Sequence, residues 1–295
     1  MTNRRFFLKS SATVVSAALL RPSFAMAVIS QRAATKADLK LGIAGYSFIK
    51  LSVEDAITIT RKTGITEISI KDKHIPFNTT KEEALAIIEK FKRNGINIYA
   101  AGMITMKTEQ DIDRAFDYAK NIGVNMIIAS PDISLLKYLE QKVVESNIKI
   151  AIHNGGPEDK WYPTPKAVYD NIKSYDKRIG ICLDIGHTQR AGINPIEAYS
   201  QYTDRVIDIH IKDVDAPKAD GHEVELGRGI INIPALVSAL YKKRYTGRCS
   251  IEYQKNLDEP LEGIAESVGY FKGVCKALKP FEKYKDLKNS TIFKN

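Results

Sequence analysis

The chain has 295 residues, of which 44% are hydrophobic and 27% are charged, as in ordinary globular proteins. This length is sufficient for one large α/β domain or for two smaller domains with their own cores. Three cysteines are too few for a scaffold held together by disulfides. The 44 basic and 35 acidic residues give a formal net charge of +9, which would favour nucleic-acid binding only if the charge lay in the folded domain.

Residues 1–27 have the parts of a secretory signal peptide. Arg4-Arg5 and Lys9 precede a short apolar run, and Ala25-Met26-Ala27 offers a cleavage site of the small-x-small type. The arginine pair resembles a twin-arginine export signal, so we expect a periplasmic protein. The apolar run of about ten residues is too short for a membrane anchor. Without this segment, which has four basic and no acidic residues, the chain would carry 40 basic and 35 acidic residues, a net charge of +5.

A short N-terminal segment, residues 28–38, leads into a regular alternation of strands and helices. Eight mostly apolar segments recur about every 30 residues, the length of one βα unit, and begin near Leu41, Glu67, Ile96, Asn125, Ile148, Ile181, Val206 and Cys249. Continuous apolar segments of this kind are typical of parallel strands that are buried on both faces. Three of the amphipathic stretches between them have clear helix signals, with capping residues at Ser52, Thr80 and Thr108 and terminal glycines at Gly64, Gly95 and Gly123.

Eight such units predict a (β/α)8 TIM barrel, a single domain over residues 39–280 that is followed by a C-terminal tail, 281–295. The alternative is a doubly wound open sheet. That fold would favour a glycine-rich phosphate loop after the first strand, where the sequence has Gly45-Tyr46-Ser47-Phe48 instead. The longest insertion, residues 213–229, follows the seventh strand, so we expect it to be a loop over the active face.

Polar residues end four consecutive predicted strands, at the side of the barrel where active sites lie. His153 ends the fifth strand, and Asp184, His210 and Glu252 end the sixth, seventh and eighth. Neighbouring strands are about 4.8 Å apart, so these side chains can converge on one divalent ion. A mixed set of carboxylates and imidazoles suits Mn, Co, Mg, Zn or Fe. A hydrogen-bonded polar cluster without a metal is the alternative.

Five further residues are candidates for binding a substrate: Lys71, Glu158, His187, Lys212 and Arg228. Lys212 lies two residues beyond the histidine of the seventh strand and therefore faces the same side, where its ammonium would stabilise a developing oxyanion. Arg228 is flanked by glycines, and its loop could close over a substrate. For each of the five, an ordinary structural or solvated side chain is the alternative interpretation.

The chain from residue 39 to 280 resembles the sugar phosphate isomerase/epimerase family. This family comprises xylose isomerase-like barrels (AP endonuclease family 2) that are also grouped with endonuclease IV. Four segments carry the resemblance: Leu183-Asp184-Ile185-Gly186-His187, Ile209-His210-Ile211-Lys212-Asp213, Glu225-Leu226-Gly227-Arg228-Gly229 and Ser250-Ile251-Glu252-Tyr253.

The resemblance implies one divalent metal held by Glu, Asp, His and Glu, with the two glutamates as an acid/base pair. Asp184, His210 and Glu252 match three of these ligands, and His187 matches a histidine that binds the sugar. The sequence departs from the family at the end of the fifth strand, where His153 replaces the first glutamate. Imidazole can bind a metal and carry a proton, but a symmetrical mechanism with two carboxylates is then in doubt. Glu158 could substitute as an acid or base.

The leading hypothesis is therefore a metal-dependent enzyme that acts on a small carbohydrate. Glu252 or His153 would move a proton next to a carbonyl, with isomerisation, epimerisation, or β-elimination and hydration of a keto-glycoside as the outcome. The lost carboxylate and the expected export favour the last of these. Homo-oligomerisation is compatible with the sequence.

Two other functions remain open. The first is a non-catalytic exported sugar-binding protein on a degenerate barrel, for which the missing glutamate is the best support. The second is a nuclease of the endonuclease IV type, which would use several zinc ions and more histidines than the five in this chain. Because export would also separate the protein from genomic DNA, we expect no nucleic-acid partner.

Overall fold

The predicted (β/α)8 barrel is confirmed in the computed structural model, which describes residues 38–288. Eight parallel strands close into the barrel: β1 (Lys40–Ile43), β2 (Glu67–Ile70), β3 (Asn97–Met106), β4 (Met126–Pro131), β5 (Lys149–His153), β6 (Ile179–Asp184), β7 (Val206–Ile211) and β10 (Arg248–Ile251). The predicted signal peptide, 1–27, lies outside the described residues, so export stays a prediction.

Each barrel strand pairs with the next one along the chain, and β10 closes the ring against β1. In the register, Asp184 of β6 lies opposite His210 of β7, which in turn lies opposite Ser250 of β10. The carboxyl ends of these three strands therefore lie side by side. This arrangement brings polar residues that are far apart in the chain to one edge of the barrel.

Helices cover the outside of the barrel: α1 (Val53–Lys62), α2 (Lys81–Arg93), α3 (Glu109–Ile122), α4 (Leu136–Ser146), α5 (Pro165–Ile172), α6 (Ile185–Arg190), α7 (Pro195–Gln201), α8 (Ile233–Lys242) and α9 (Leu261–Lys288). The three predicted helix starts are confirmed, because Ser52, Thr80 and Thr108 each accept a hydrogen bond from a backbone N–H in the first turn. Helix α9 continues past residue 280, where the sequence analysis ends the barrel domain. Among the described helices, none combines the length and the apolar character needed to span a membrane.

The hydrophobic core has two compartments. The larger one fills the space between strands and helices and includes Phe91 and Phe116, whereas a smaller cluster includes Tyr99, Met126 and Cys182. Side chains alternate along a strand, so Cys182 and the residue two positions later, Asp184, face the same side of β6. The polar end of the barrel therefore lies directly above this smaller apolar cluster.

The segment 213–229 is more ordered than an irregular loop, since it contains an antiparallel hairpin of β8 (Asp213–Val214) and β9 (Glu223–Val224). The carboxylate of Asp213 is fully buried and accepts hydrogen bonds from the backbone N–H groups of Val214, Gly227, Gly229 and Ile231 at 2.9 to 3.1 Å. One side chain thus fixes both ends of the insertion.

Candidate metal centre

Four buried side chains meet at the carboxyl end of the barrel: His153, Asp184, His210 and Glu252. Each offers one ligand atom, and these atoms all lie within 4.8 Å of one another. Nε2 of His153 is 3.5 Å from Oδ2 of Asp184, and Nδ1 of His210 is 3.4 Å from Oε2 of Glu252. The structure thus brings together the four residues that the sequence predicts as metal ligands.

Local backbone structure fixes the orientation of Asp184. This residue ends β6 and is also the N-cap of α6, where its Oδ1 accepts a 2.7 Å hydrogen bond from the backbone N–H of His187. The side-chain amide of Asn154 donates to the backbone carbonyl of Asp184 and accepts from its backbone N–H. With Oδ1 engaged in the cap, Oδ2 remains directed at the other members of the cluster.

The cluster fits a divalent cation. Four of its buried atoms make no hydrogen bond of good geometry among the described residues: Nε2 of His153, Oδ2 of Asp184, Nδ1 of His210 and Oε2 of Glu252. Of these four, only the two carboxylate oxygens have an ion-pair partner in Lys212. Buried polar atoms normally form hydrogen bonds. The Lys212 ammonium lies near the two carboxylate oxygens only, whereas a shared divalent cation would coordinate all four atoms.

The buried ammonium group of Lys212 lies next to the two carboxylates of the cluster. It lies 2.9 Å from Oε2 of Glu252 and 3.4 Å from Oδ2 of Asp184. Burial alone would raise the pKa of both carboxyls, but Lys212 and the nearby imidazoles hold each pKa well below its usual value. Gly186 is required here, because a Cβ at this position would come within 2.8 Å of the Lys212 side chain.

His187 borders the cluster, with its ring centroid 5.6 Å from that of His153. Burial lowers the pKa of His187 to about 4, so its imidazole is neutral near pH 7. Gly156, at a φ of +84°, leaves room for the ring, since a Cβ there would lie 2.8 Å from its Nδ1. Glu158 is more than half exposed and forms an ion pair with Arg190, whose Nη1 lies 3.3 Å from the same Nδ1.

Two predicted substrate-binding residues have other partners. The ammonium of Lys71 donates to Asp72 and to the backbone carbonyl of Met103. The side chain of Arg228 is 62% exposed, and its guanidinium is paired with Glu266 of α9. Among the described residues, neither makes a hydrogen bond or an ion pair with a member of the cluster.

The remaining two histidines also lie apart from the cluster. His74 is buried, and its Nε2 is 3.1 Å from the backbone carbonyl of Phe48. His222 is largely exposed and pairs with Asp215. Of the five histidines, therefore, His153, His187 and His210 meet at the site.

Glu223 is an unpredicted neighbour of the site, since its carboxylate lies 3.8 Å from the Lys212 ammonium. The residue belongs to β9, in the hairpin, and its side chain is 12% exposed. Burial raises the pKa of Glu223 to about 7. No periodicity or motif marks this position, because the approach of Glu223 to the site depends on how the hairpin folds back over the barrel.

A second set of buried polar side chains, which the sequence did not predict, lies deeper in the barrel. Cys182 and Asp208 each precede a cluster residue by two positions, and both have a ligand atom within 4.8 Å of a ring nitrogen of His210. Oδ2 of Asp208 accepts a 3.1 Å hydrogen bond from Tyr99. Asp208 and the Tyr99 hydroxyl thus add buried polar atoms to the small apolar cluster beneath the four candidate ligands.

The comparisons with known proteins agree with this architecture. The family model described as xylose isomerase-like TIM barrel matches residues 60–274. The chain belongs to this family. None of the curated proteins matches the chain.

Solved structures show the same fold at low sequence identity. A xylose isomerase domain protein from Planctomyces limnophilus is 18% identical, with a TM-score of 0.67 over 82% of this chain and 99% of that one. The 3-keto-D-glucoside 4-epimerase from E. coli is also 18% identical, with a TM-score of 0.64 over 80% and 99%. The IOLI protein, whose structure holds a zinc atom, is 19% identical, with a TM-score of 0.64 over 80% and 96%. The barrel therefore has sugar-epimerase and metal-binding neighbours.

Proposed function

We propose that the chain is a divalent-metal-dependent enzyme that moves a proton on the carbon next to a carbonyl of a small carbohydrate. The observation that carries this proposal is the convergence of four buried ligand atoms, from His153, Asp184, His210 and Glu252, within 4.8 Å of one another. A single buried ammonium, that of Lys212, lies beside the set.

Each component has a defined task. When bound, a divalent ion supplies Lewis-acid polarisation, which acidifies the C–H next to a carbonyl. The ionised carboxylate of Glu252 accepts that proton. The Lys212 ammonium stabilises the negative charge that develops on the substrate oxygen. The neutral imidazole of His187 can donate a hydrogen bond to, or accept one from, a sugar hydroxyl.

The choice of substrate and reaction rests on family membership, on the residue at position 153 and on the predicted export. Family membership and the sugar epimerase among the structural neighbours support a carbohydrate. The presence of His153 in place of a second carboxylate favours β-elimination or hydration of a keto-glycoside over a symmetrical epimerisation. Phosphorylated sugars are scarce outside the cytoplasm, so the predicted export favours a sugar without phosphate.

The test combines turnover with metal analysis. Purified protein is incubated with methyl 3-keto-D-glucoside, D-fructose and D-tagatose, with and without EDTA, and products are followed by NMR. We expect turnover that EDTA abolishes and that added Mn, Co or Zn restores. Asp184→Ala and His210→Ala should lose bound metal while remaining folded, and Asp215→Asn, at an exposed ion pair, should retain it.

Two results would contradict the proposal. Full metal occupancy in both ligand variants would show that the cluster is not the metal site. Sugar binding without turnover and without any effect of EDTA would favour the non-catalytic sugar-binding protein, an alternative for which the replaced glutamate is the supporting observation.

A further inference from the structure

Glu223 has one anchored and one free carboxylate oxygen. Its Oε1 accepts a 2.7 Å hydrogen bond from the backbone N–H of Gln254, two residues beyond Glu252. Its Oε2 lies 3.8 Å from the Lys212 ammonium, beyond hydrogen-bond distance, and has no hydrogen-bond partner among the described residues. The same ammonium is 2.9 Å from Oε2 of Glu252, so both carboxylates lie close to one lysine.

Of the two carboxylates in the cluster, only Glu252 keeps an oxygen, Oε1, that is neither a predicted ligand nor engaged in a hydrogen bond among the described residues. Oδ1 of Asp184 is engaged in capping α6, and its Oδ2 is a predicted ligand. Lys212 lies between carboxylates, which keep it protonated and unable to act as a base. In elimination or epimerisation, the proton that Glu252 takes from carbon is matched by a proton delivered to the leaving oxygen or to the opposite face of the carbon, and a second carboxyl beside Glu252 can supply it.

We propose that Glu223 is this second group, a catalytic acid that works with Glu252 and supplies the carboxyl that is missing at the end of β5. The inference rests on the proposed function. It assigns the two proton transfers to carboxyls that arise from different parts of the chain, the hairpin and the end of β10.

The two transfers balance. The C–H bond next to the carbonyl breaks, its proton goes to the Glu252 carboxylate, and its electron pair becomes the C=C bond of an enediolate. In elimination, the enediolate re-forms the carbonyl, the bond from the β carbon to its oxygen breaks, and the Glu223 carboxylic acid gives its proton to the departing oxygen. In epimerisation, Glu223 gives the proton to the opposite face of the same carbon. Exchange with water returns both carboxyls to their starting states.

The surroundings of Glu223 suit such a role. Burial raises its pKa to about 7, while the charges that act on it are the Lys212 cation and the Glu252 and Asp184 anions. Burial thus favours the protonated form that a general acid requires. Glu225, two residues later, differs because its carboxylate is engaged by Lys255 and Tyr253.

The test compares Glu223→Gln with wild type in D2O, with methyl 3-keto-D-glucoside, D-fructose and D-tagatose as probes. The glutamine keeps the acceptor for the Gln254 N–H but cannot donate an acidic proton. We expect product formation to fall by about 100-fold or more, a typical contribution of a general acid. Deuterium exchange into the starting sugar should persist, because Glu252 still removes and returns a proton.

Three further measurements distinguish a catalytic role of Glu223 from a structural one. Metal content and the unfolding temperature of Glu223→Gln should equal those of wild type. Glu223→Asp should recover part of the product formation, since it restores a carboxyl on a shorter side chain. Glu225→Gln, a matched change in the same hairpin region, should leave product formation within a few-fold of wild type.

The outcomes are distinct. Wild-type product formation by Glu223→Gln, or equal losses of exchange, product and metal in that variant, would overturn the role of Glu223 alone. A wild-type protein that catalyses neither exchange nor product formation with any of the three sugars would overturn the proposed function, and the role of Glu223 would fall with it.

Discussion

The Lys212 ammonium lies 2.9 Å from Oε2 of Glu252, and both side chains are almost completely buried. Burial alone would lower the pKa of Lys212, but Asp184, Glu252 and Glu223 outweigh this effect and raise it. The lysine is therefore charged near neutral pH. The positive charge of Lys212 also keeps Glu252 ionised, and only an ionised carboxylate can accept a proton.

Replacing Lys212 by methionine should abolish catalysis without removing the metal. The variant loses the cation that stabilises negative charge on the substrate, so we expect kcat to fall by about 100-fold or more. Metal content, measured by mass spectrometry, should remain because the lysine is not a ligand. Lys255→Met is the matched control, since Lys255 pairs with Glu225 outside the cluster. Loss of metal in the Lys212 variant would show that the lysine is needed to assemble the site.

Replacing His153 by glutamate should restore the ligand set that the family resemblance implies. An oxygen ligand is harder than an imidazole, so the preference of the site should move from Zn towards Mn or Mg. Competition between Zn and Mn at equal concentration, followed by metal analysis, measures this shift. The variant should bind one metal per chain. An unchanged metal preference would indicate that residue 153 does not contact the ion.

Replacing Asp213 by alanine should destabilise the whole insertion. Four backbone N–H groups would lose their common acceptor. Buried donors without partners cost on the order of 1–3 kcal/mol each, so we expect the free energy of unfolding in urea to fall by about 3 kcal/mol or more. Asp215→Asn, at an exposed ion pair, should cost less than about 1 kcal/mol. Equal stabilities of the two variants would contradict this role of Asp213.

The three free cysteines should react slowly with thiol reagents in the folded protein. Burial raises the pKa of Cys182 to about 12 and that of Cys275 to about 11, and it also raises the pKa of Cys249. A higher pKa leaves less of the reactive thiolate at pH 8, and the rate should rise with pH. Titration with a disulfide reagent at pH 8 should therefore detect three thiols only after unfolding. Rapid release of one equivalent by the folded protein would contradict this prediction.

The sequence alone predicted the barrel, which the structure confirms, and the meeting of four polar side chains at one edge of it. Apolar strands and capped helices are local patterns, and eight strand–helix units favour closure into a barrel. In such a barrel the carboxyl ends of adjacent parallel strands meet at one edge, so His153, Asp184, His210 and Glu252 converge once the strand ends are known. The replacement at position 153 is likewise visible in the sequence as a departure from the family pattern.

The tertiary structure decided the positions of the loop side chains. Arg228 lies against Glu266 and Glu158 against Arg190, partners that are 38 and 32 residues away. Glu223 reaches Lys212 because Asp213 organises the insertion and the Gln254 N–H holds the carboxylate. Loop conformation depends on such long-range contacts rather than on a repeating local pattern. For this reason Glu223, which lies near Lys212, has no recognisable signal in the sequence. Arg228, a predicted substrate-binding residue, pairs instead with Glu266 of helix α9.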